Sequence, residues 1–157
     1  MTFAFIAVAF VLMEPAAALM HRSVMHGHYG WRWHASHHRL RHRGFERNDL
    51  FPITCAAATV AFIATAASTG ASGYLLPIGF GITGYGAAYL VVHDGYIHAR
   101  FGTLPGAHCC YFEWVRAAHA VHHTSGGAPF GFLAPLFTSR LRQSRKAVVE
   151  SFDSGRA

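Results

Sequence analysis

Residues 50–68 read LFPITCAAATVAFIATAAS, nineteen residues without a charge. At about 1.5 Å per residue such a helix reaches about 28 Å, close to the ~30 Å hydrocarbon thickness of a bilayer. Two other stretches match it. Phe3–Met20 has 18 residues with Glu14 as its one charge, and Tyr74–Val92 has 19 with none. None of the three alternates polar and apolar faces as a helix on a soluble core does. The sequence therefore predicts an all-α integral-membrane protein. Phe3–Met20 has no basic residue before its apolar run and is followed by HRSVMH, not by a small-residue cleavage site. It is read as a retained span, not a signal peptide. Pro15 is expected to kink it; Pro77 falls near the start of the third span, where a helix tolerates it better.

The rest of the composition agrees. Hydrophobic residues are 52% of the 157, charged residues 13%, and the mean hydropathy is +0.24, which excludes a disordered chain. The length suits one domain. Three cysteines, two of them adjacent (Cys109, Cys110), exclude a disulfide scaffold and a four-cysteine zinc finger. The net charge of +6 lies beside the spans and forms no continuous stripe, which argues against nucleic acid as a partner. His21–Asp49 holds six arginines against Glu46 and Asp49, net +4, and the tail from Arg140 is net +3. Residues 1–20 and the TGASG turn at 69–73 hold no Lys or Arg. The positive-inside rule places both basic segments in the cytoplasm. FGFLAPLF, residues 130–137, is too short to span and is read as interfacial or re-entrant. The expected architecture is three to four spans under a histidine-rich cytoplasmic cap. Residues 1–139 form the membrane-embedded domain and 140–157 a basic cytoplasmic tail that meets anionic lipid.

Histidine is the outlier, with thirteen in the chain. Ten fall into four groups: His21 and His26; His34, His37 and His38; His93 and His98; His119, His122 and His123. A pair spaced H-x4-H followed by H-x2-H-H thus occurs twice. On a helix, positions i, i+3 and i+4 share a face, so each triplet can aim at one spot. The pairs are i, i+5, which a straight α-helix separates by roughly 140°. A frayed end or a π-bulge would bring both rings to one side. Two spans lie between the first two groups and the last two. The chain crosses and returns, so all ten histidines end on one face.

Neutral imidazoles suit iron, zinc, copper or nickel and not calcium or magnesium. Ten overfill one ion and suit two, with about five nitrogens each. His28, His42 and His108 fit no group and are expected not to be ligands. The acids are few. Glu14 lies inside a span, where an unpartnered acid is costly. It is expected to hold a metal-bound histidine or to anchor the fold. Asp49 and Asp94 are candidates to orient imidazoles through ring N–H groups, or to cap a helix or form a salt bridge.

These features resemble the integral-membrane fatty acid hydroxylase superfamily, and within it the bacterial β-carotene hydroxylases. The resemblance rests on Glu14-Pro15, Met25-His26-Gly27, Trp31, Trp33-His34, FERNDL at 45–50, His93-Asp94-Gly95, Arg100 and FGFL at 130–133. It covers Met13–Pro135. Pro129 and Phe137 depart from the family pattern, which leaves ring preference open. The resemblance implies a non-haem di-iron monooxygenase that uses O2 to hydroxylate C3 of a β-ionone ring. β-Carotene would pass through β-cryptoxanthin to zeaxanthin, and 4-keto rings towards astaxanthin. The carotenoid would come from the bilayer, and electrons from reduced ferredoxin and its reductase. A bacterial inner membrane is implied, with two iron ions on the cytoplasmic face. The rival readings are another membrane oxygenase (carotenoid ketolase, sterol or lipid hydroxylase) and, from a different class, a metal-binding membrane transporter.

Overall fold

The computed structural model describes residues 1–39, 44–102 and 109–135. The 140–157 tail, Phe137, His42 and His108 lie outside them. The described residues are helical, without strands. Helix α1 is Thr2–Met20, α2 Trp31–His38, α3 Leu50–Ser68, α4 Ser72–Tyr89 and α5 Cys110–Ser125. A π-helical segment continues α1 over His21–Met25, and another continues α4 over Leu90–Ile97. A short 3₁₀ turn, Arg47–Asp49, leads into α3. Helix α3 keeps the bounds expected from composition, and α1 runs unbroken through Pro15. Pro77 lies in the second turn of α4, inside the helix.

Three helical segments, Thr2–Met25, Arg47–Ser68 and Ser72–Ile97, are long and apolar enough to cross a bilayer. Their outward faces are exposed and apolar: Val8, Val11 and Leu12 on α1, Ile53 and Val60 on α3, Phe80 on α4. Water would penalise such a surface and lipid does not. This is a membrane protein. Helix α4 is the central span, packed against both α1 and α3. Small residues set the spacing. A Cβ on Gly81 would lie 2.5 Å from the Ile6 carbonyl oxygen of α1, and one on Gly79 the same distance from Ile63 of α3. Close approach of backbones is the usual way that helices hold together in lipid, where apolar burial alone gives no preference for protein over lipid.

Residues 130–135, the described part of the C-terminal apolar run, are not helical, so they add no fourth span among the described residues. They tuck against α1 and α4. Phe132 is buried with Ala17 and Tyr85, and Phe10, Met13, Tyr89 and Leu133 pack around them. Glu14 fixes this segment. Its carboxylate accepts the Tyr85 hydroxyl at 2.7 Å and the backbone N–H groups of Phe132, Leu133 and Ala134 at 2.8, 3.1 and 2.9 Å. A non-helical segment beside a span must have its N–H groups satisfied by protein, and Glu14 does so for three in a row. A Cβ on Gly131 would sit 2.6 Å from Glu14 Oε1, so only glycine lets the loop approach this closely. Of the two roles expected for Glu14, the anchor is the one observed.

Glu14→Gln replaces one accepting oxygen by a donor that faces N–H groups, so it is expected to destabilise the fold by about 2–4 kcal/mol. Tyr85→Phe removes one donor and should cost about 1 kcal/mol. Thermal unfolding of both variants in one detergent checks the order; equal midpoints for Glu14→Gln and the parent chain would contradict it.

Candidate metal centre

The centre is assembled where α1 and α4 leave their spans. There both helices widen into π turns. The i→i+5 bonds join the paired histidines themselves: His26 N–H to the His21 carbonyl at 3.0 Å, and His98 N–H to the His93 carbonyl at 2.9 Å. The wider turn cancels most of the angular offset that α-geometry imposes at this spacing. Each pair therefore presents two rings to one side. After the first pair, Gly30 carries the chain into α2 so tightly that a Cβ there would lie 2.0 Å from the Val24 carbonyl oxygen. Helix α2 supplies His34, His37 and His38, and α5 supplies His119, His122 and His123. Helix α5 ends at Gly126 in the left-handed conformation (φ 65°), which glycine adopts without strain. The turn places the Gly127 carbonyl behind His122.

The ten grouped histidines converge. One ring nitrogen from each of His21, His26, His34, His38 and His122 lies within 4.8 Å of the others. A second set, His37, His93, His98 and His119, meets the same limit. His123 adjoins both: its ring stacks on His38 with centroids 4.3 Å apart and lies 4.4 Å from His119. His28 is exposed and packs on Tyr29, away from the centre.

The outward nitrogens are fixed. His21 Nδ1–H donates to the Phe130 carbonyl at 2.9 Å, His34 Nδ1–H to Asn48 Oδ1 at 2.7 Å, and His122 Nδ1–H to the Gly127 carbonyl at 2.6 Å. In the second set His37 Nδ1–H donates to Glu46 at 3.1 Å and His93 Nδ1–H to Asp94 at 2.6 Å. Burial holds His34 and His37 in the neutral form, their pKa values lowered to about 3. Burial also lowers His26 and His122 to about 4 and His123 to about 2, with neighbouring imidazoles adding to the shift in each case. A neutral ring that donates from Nδ1 has only a lone pair at Nε2. Two such bare nitrogens face one another, His21 and His34 Nε2 at 2.9 Å, and the Nε2 of His122 stands 3.1 Å from that of His26. In the second set His98 and His119 Nε2 stand 2.9 Å apart. The Nε2 atoms of His37, His93 and His123 are buried without a hydrogen-bond partner. Lone pairs of His21 and His34 cannot hydrogen-bond each other, and burying them costs free energy unless a cation takes them. The donor set fits two nitrogen-ligated metal ions.

The acids divide among the roles expected for them. Asp94 meets His93 directly. Among the described residues Asp49 hydrogen-bonds to no imidazole: it accepts the Glu46 backbone N–H at 2.9 Å and holds Arg100 through two bonds of 2.6 and 2.7 Å. It has the cap and salt-bridge roles, and its charge acts on His37 through space. Among the described residues Glu14 also hydrogen-bonds to no imidazole; it fixes the segment whose Phe130 carbonyl orients His21. The partners of His37 and His34 are Glu46 and Asn48, two residues that the composition of the site did not single out. Their presence in the FERNDL stretch was the available signal. Ala99, at φ 50°, turns the chain after the second π segment so that Arg100 returns to this acidic group.

No family model and no solved structure matches the chain. Curated relatives do. It is 42% identical over 129 residues to the β-carotene hydroxylase of Pseudescherichia vulneris, covering 78% of this chain and 70% of that one. It is 36% identical over 156 residues to the β-carotene hydroxylase of Paracoccus sp. (strain PC1), covering 93% and 92%. It is also 43% identical over 123 residues to the chloroplastic β-carotene 3-hydroxylase of an Oncidium hybrid cultivar, covering 76% of this chain and 40% of the plant protein. With its histidine pairs and triplets gathered at one end of three spans, the chain belongs to the β-carotene hydroxylase family.

Proposed function

We propose that the chain is a β-carotene 3-hydroxylase, a non-haem di-iron monooxygenase of the bacterial inner membrane. It converts β-carotene through β-cryptoxanthin to zeaxanthin, and 4-keto rings towards astaxanthin. The observation behind this reading is the convergence of two sets of neutral imidazole nitrogens at the mouth of a membrane helix bundle. His21, His26, His34, His38 and His122 would hold one ion. His37, His93, His98 and His119, with His123 beside them, would hold the other. When bound, the iron pair supplies the oxidising power for C–H cleavage, which no side chain has.

The number of donors supports iron over zinc: about five imidazoles per ion exceed the four ligands that zinc usually takes, and zinc has no redox chemistry. Hydroxylation by O2 consumes two electrons and two protons and releases one water. Reduced ferredoxin is the proposed donor, since the chain has no flavin or nucleotide motif. The arginines between α1 and α3 favour the cytoplasmic face for the centre.

The residues have separable tasks. Helices α1 and α4 present apolar faces to a hydrocarbon substrate that lives in the bilayer. Phe130 and Phe132 close over His21: the Phe130 ring lies 5.6 Å from it edge-on, and the Phe132 ring stacks on it at 4.9 Å. They keep water from the ligands on the side that adjoins the spans. The cavity of about 730 Å³ lined by Trp31, Arg32, Arg39, Phe45 and Arg47 lies outside α2, not between the spans, and is not assigned to substrate.

In cells that accumulate β-carotene, the parent chain is expected to yield 3-hydroxylated carotenoids by chromatography; absence of any 3-hydroxylated ring would overturn the substrate. His37→Ala is expected to lower product at least 100-fold, and His28→Ala to leave it within twofold. Equal product from His37→Ala and the parent chain would overturn the ligand set.

A further inference from the structure

The acceptors behind the two sets of histidines differ in charge. His21, His34 and His122 donate to neutral oxygens, two backbone carbonyls and the Asn48 amide. His37 and His93 donate to carboxylates, Glu46 and Asp94. One guanidinium serves both acids: Arg100 Nη1 stands 3.8 Å from Glu46 and 3.5 Å from Asp94. That cation is bound most closely to Asp49, at 2.6 Å. Three carboxylates, Glu46, Asp49 and Asp94, thus lie beside the second set. Their side chains are 8–13% exposed, so solvent screens them weakly. Near the first set, the bonds of Glu14 go to Tyr85 and to backbone N–H groups.

We propose that Glu46 and Asp94 make the two metal positions unequal, so that the ion framed by His37, His93, His98 and His119 is oxidised first. The inference rests on the reading of the centre as di-iron. A carboxylate that accepts the Nδ1 proton raises the electron density at Nε2 and makes the imidazole a stronger donor. Fixed negative charge nearby also favours the more positive ion. Both effects stabilise Fe(III) over Fe(II) at this position. The neutral acceptors behind His21, His34 and His122 leave the other ion in its reduced state to a higher potential. Arg100 limits the effect, but its guanidinium is bound to Asp49 and stands farther from Asp94 and Glu46. In this role Glu46 and Asp94 are positioning residues: each acts on an ion through one histidine. The step itself is Fe(II) giving one electron to a mediator and becoming Fe(III), with no bond made or broken.

The test uses the full chain in detergent, loaded with two ⁵⁷Fe(II) and titrated with ferricyanide and dye mediators, with Mössbauer spectra taken along the titration. Two oxidation steps are expected. Glu46→Gln and Asp94→Asn keep shape and remove charge, and each should raise the first step more than the second. Loss of a tenfold preference for Fe(III) reads as about 59 mV. Asn48→Asp places a carboxylate behind His34 and should lower the second step by a similar amount, bringing the two together. Retention of two irons shows that each variant keeps its centre. Failure of the parent chain to hold two irons would overturn the di-iron reading and this inference with it. Two bound irons with both steps shifted equally by Glu46→Gln, or an upper step unmoved by Asn48→Asp, would overturn the inference alone.

Discussion

Two nitrogen lone pairs 2.9 Å apart in a buried site, on His21 and His34, are the constraint on which the centre depends. Each ring has committed its N–H outward, His21 to the Phe130 carbonyl and His34 to Asn48. Neither can donate to the other, so the contact repels unless a cation lies within reach of both. The outer hydrogen bonds therefore matter as much as the ligands. They hold the rings in the tautomer that binds metal and prevent them from relaxing into hydrogen bonds with each other. The chain meets the cost with four elements drawn from distant parts of its length, and burial keeps His34 and His37 neutral.

The spans serve this arrangement. Helix α4 lies between α1 and α3, close enough at Gly81 to meet the α1 backbone and at Gly79 to seat the Ile63 side chain of α3. With the spans fixed, the last turns of α1 and α4 leave the bilayer side by side, and both open into π turns there. Glu14 joins the bundle to the centre from below. By binding three consecutive N–H groups it holds residues 130–135 against α1, and with them the carbonyl that orients His21. One half-buried acid thus links membrane packing to the geometry of a ligand more than a helical turn away.

Much of this was legible in the residues. Runs without charge gave the spans, and their even number between the histidine groups placed all ten imidazoles on one face. The i, i+5 spacing of His21/His26 and His93/His98 called for a wider turn, and π turns are what the structure has. Other features were not legible. Periodicity cannot show which oxygen a ring N–H will meet, because His34–Asn48 and His37–Glu46 depend on how a loop folds back over α2. The same limit explains Asp49, whose sequence position beside α3 fits an imidazole partner as well as it fits Arg100. The assignment of histidines to two sets also needed coordinates: His37 and His38 are neighbours in sequence, yet their nitrogens join different sets.

The central claim is that the two sets hold two ions of a redox-active metal. Metal analysis of anaerobically purified full-length chain, with Mössbauer spectroscopy of ⁵⁷Fe-grown material, tests it most directly. The account predicts two iron atoms per chain, both bound in nitrogen-rich sites with more than four ligands. One ion per chain, or two zinc ions in four-coordinate sites, would contradict it.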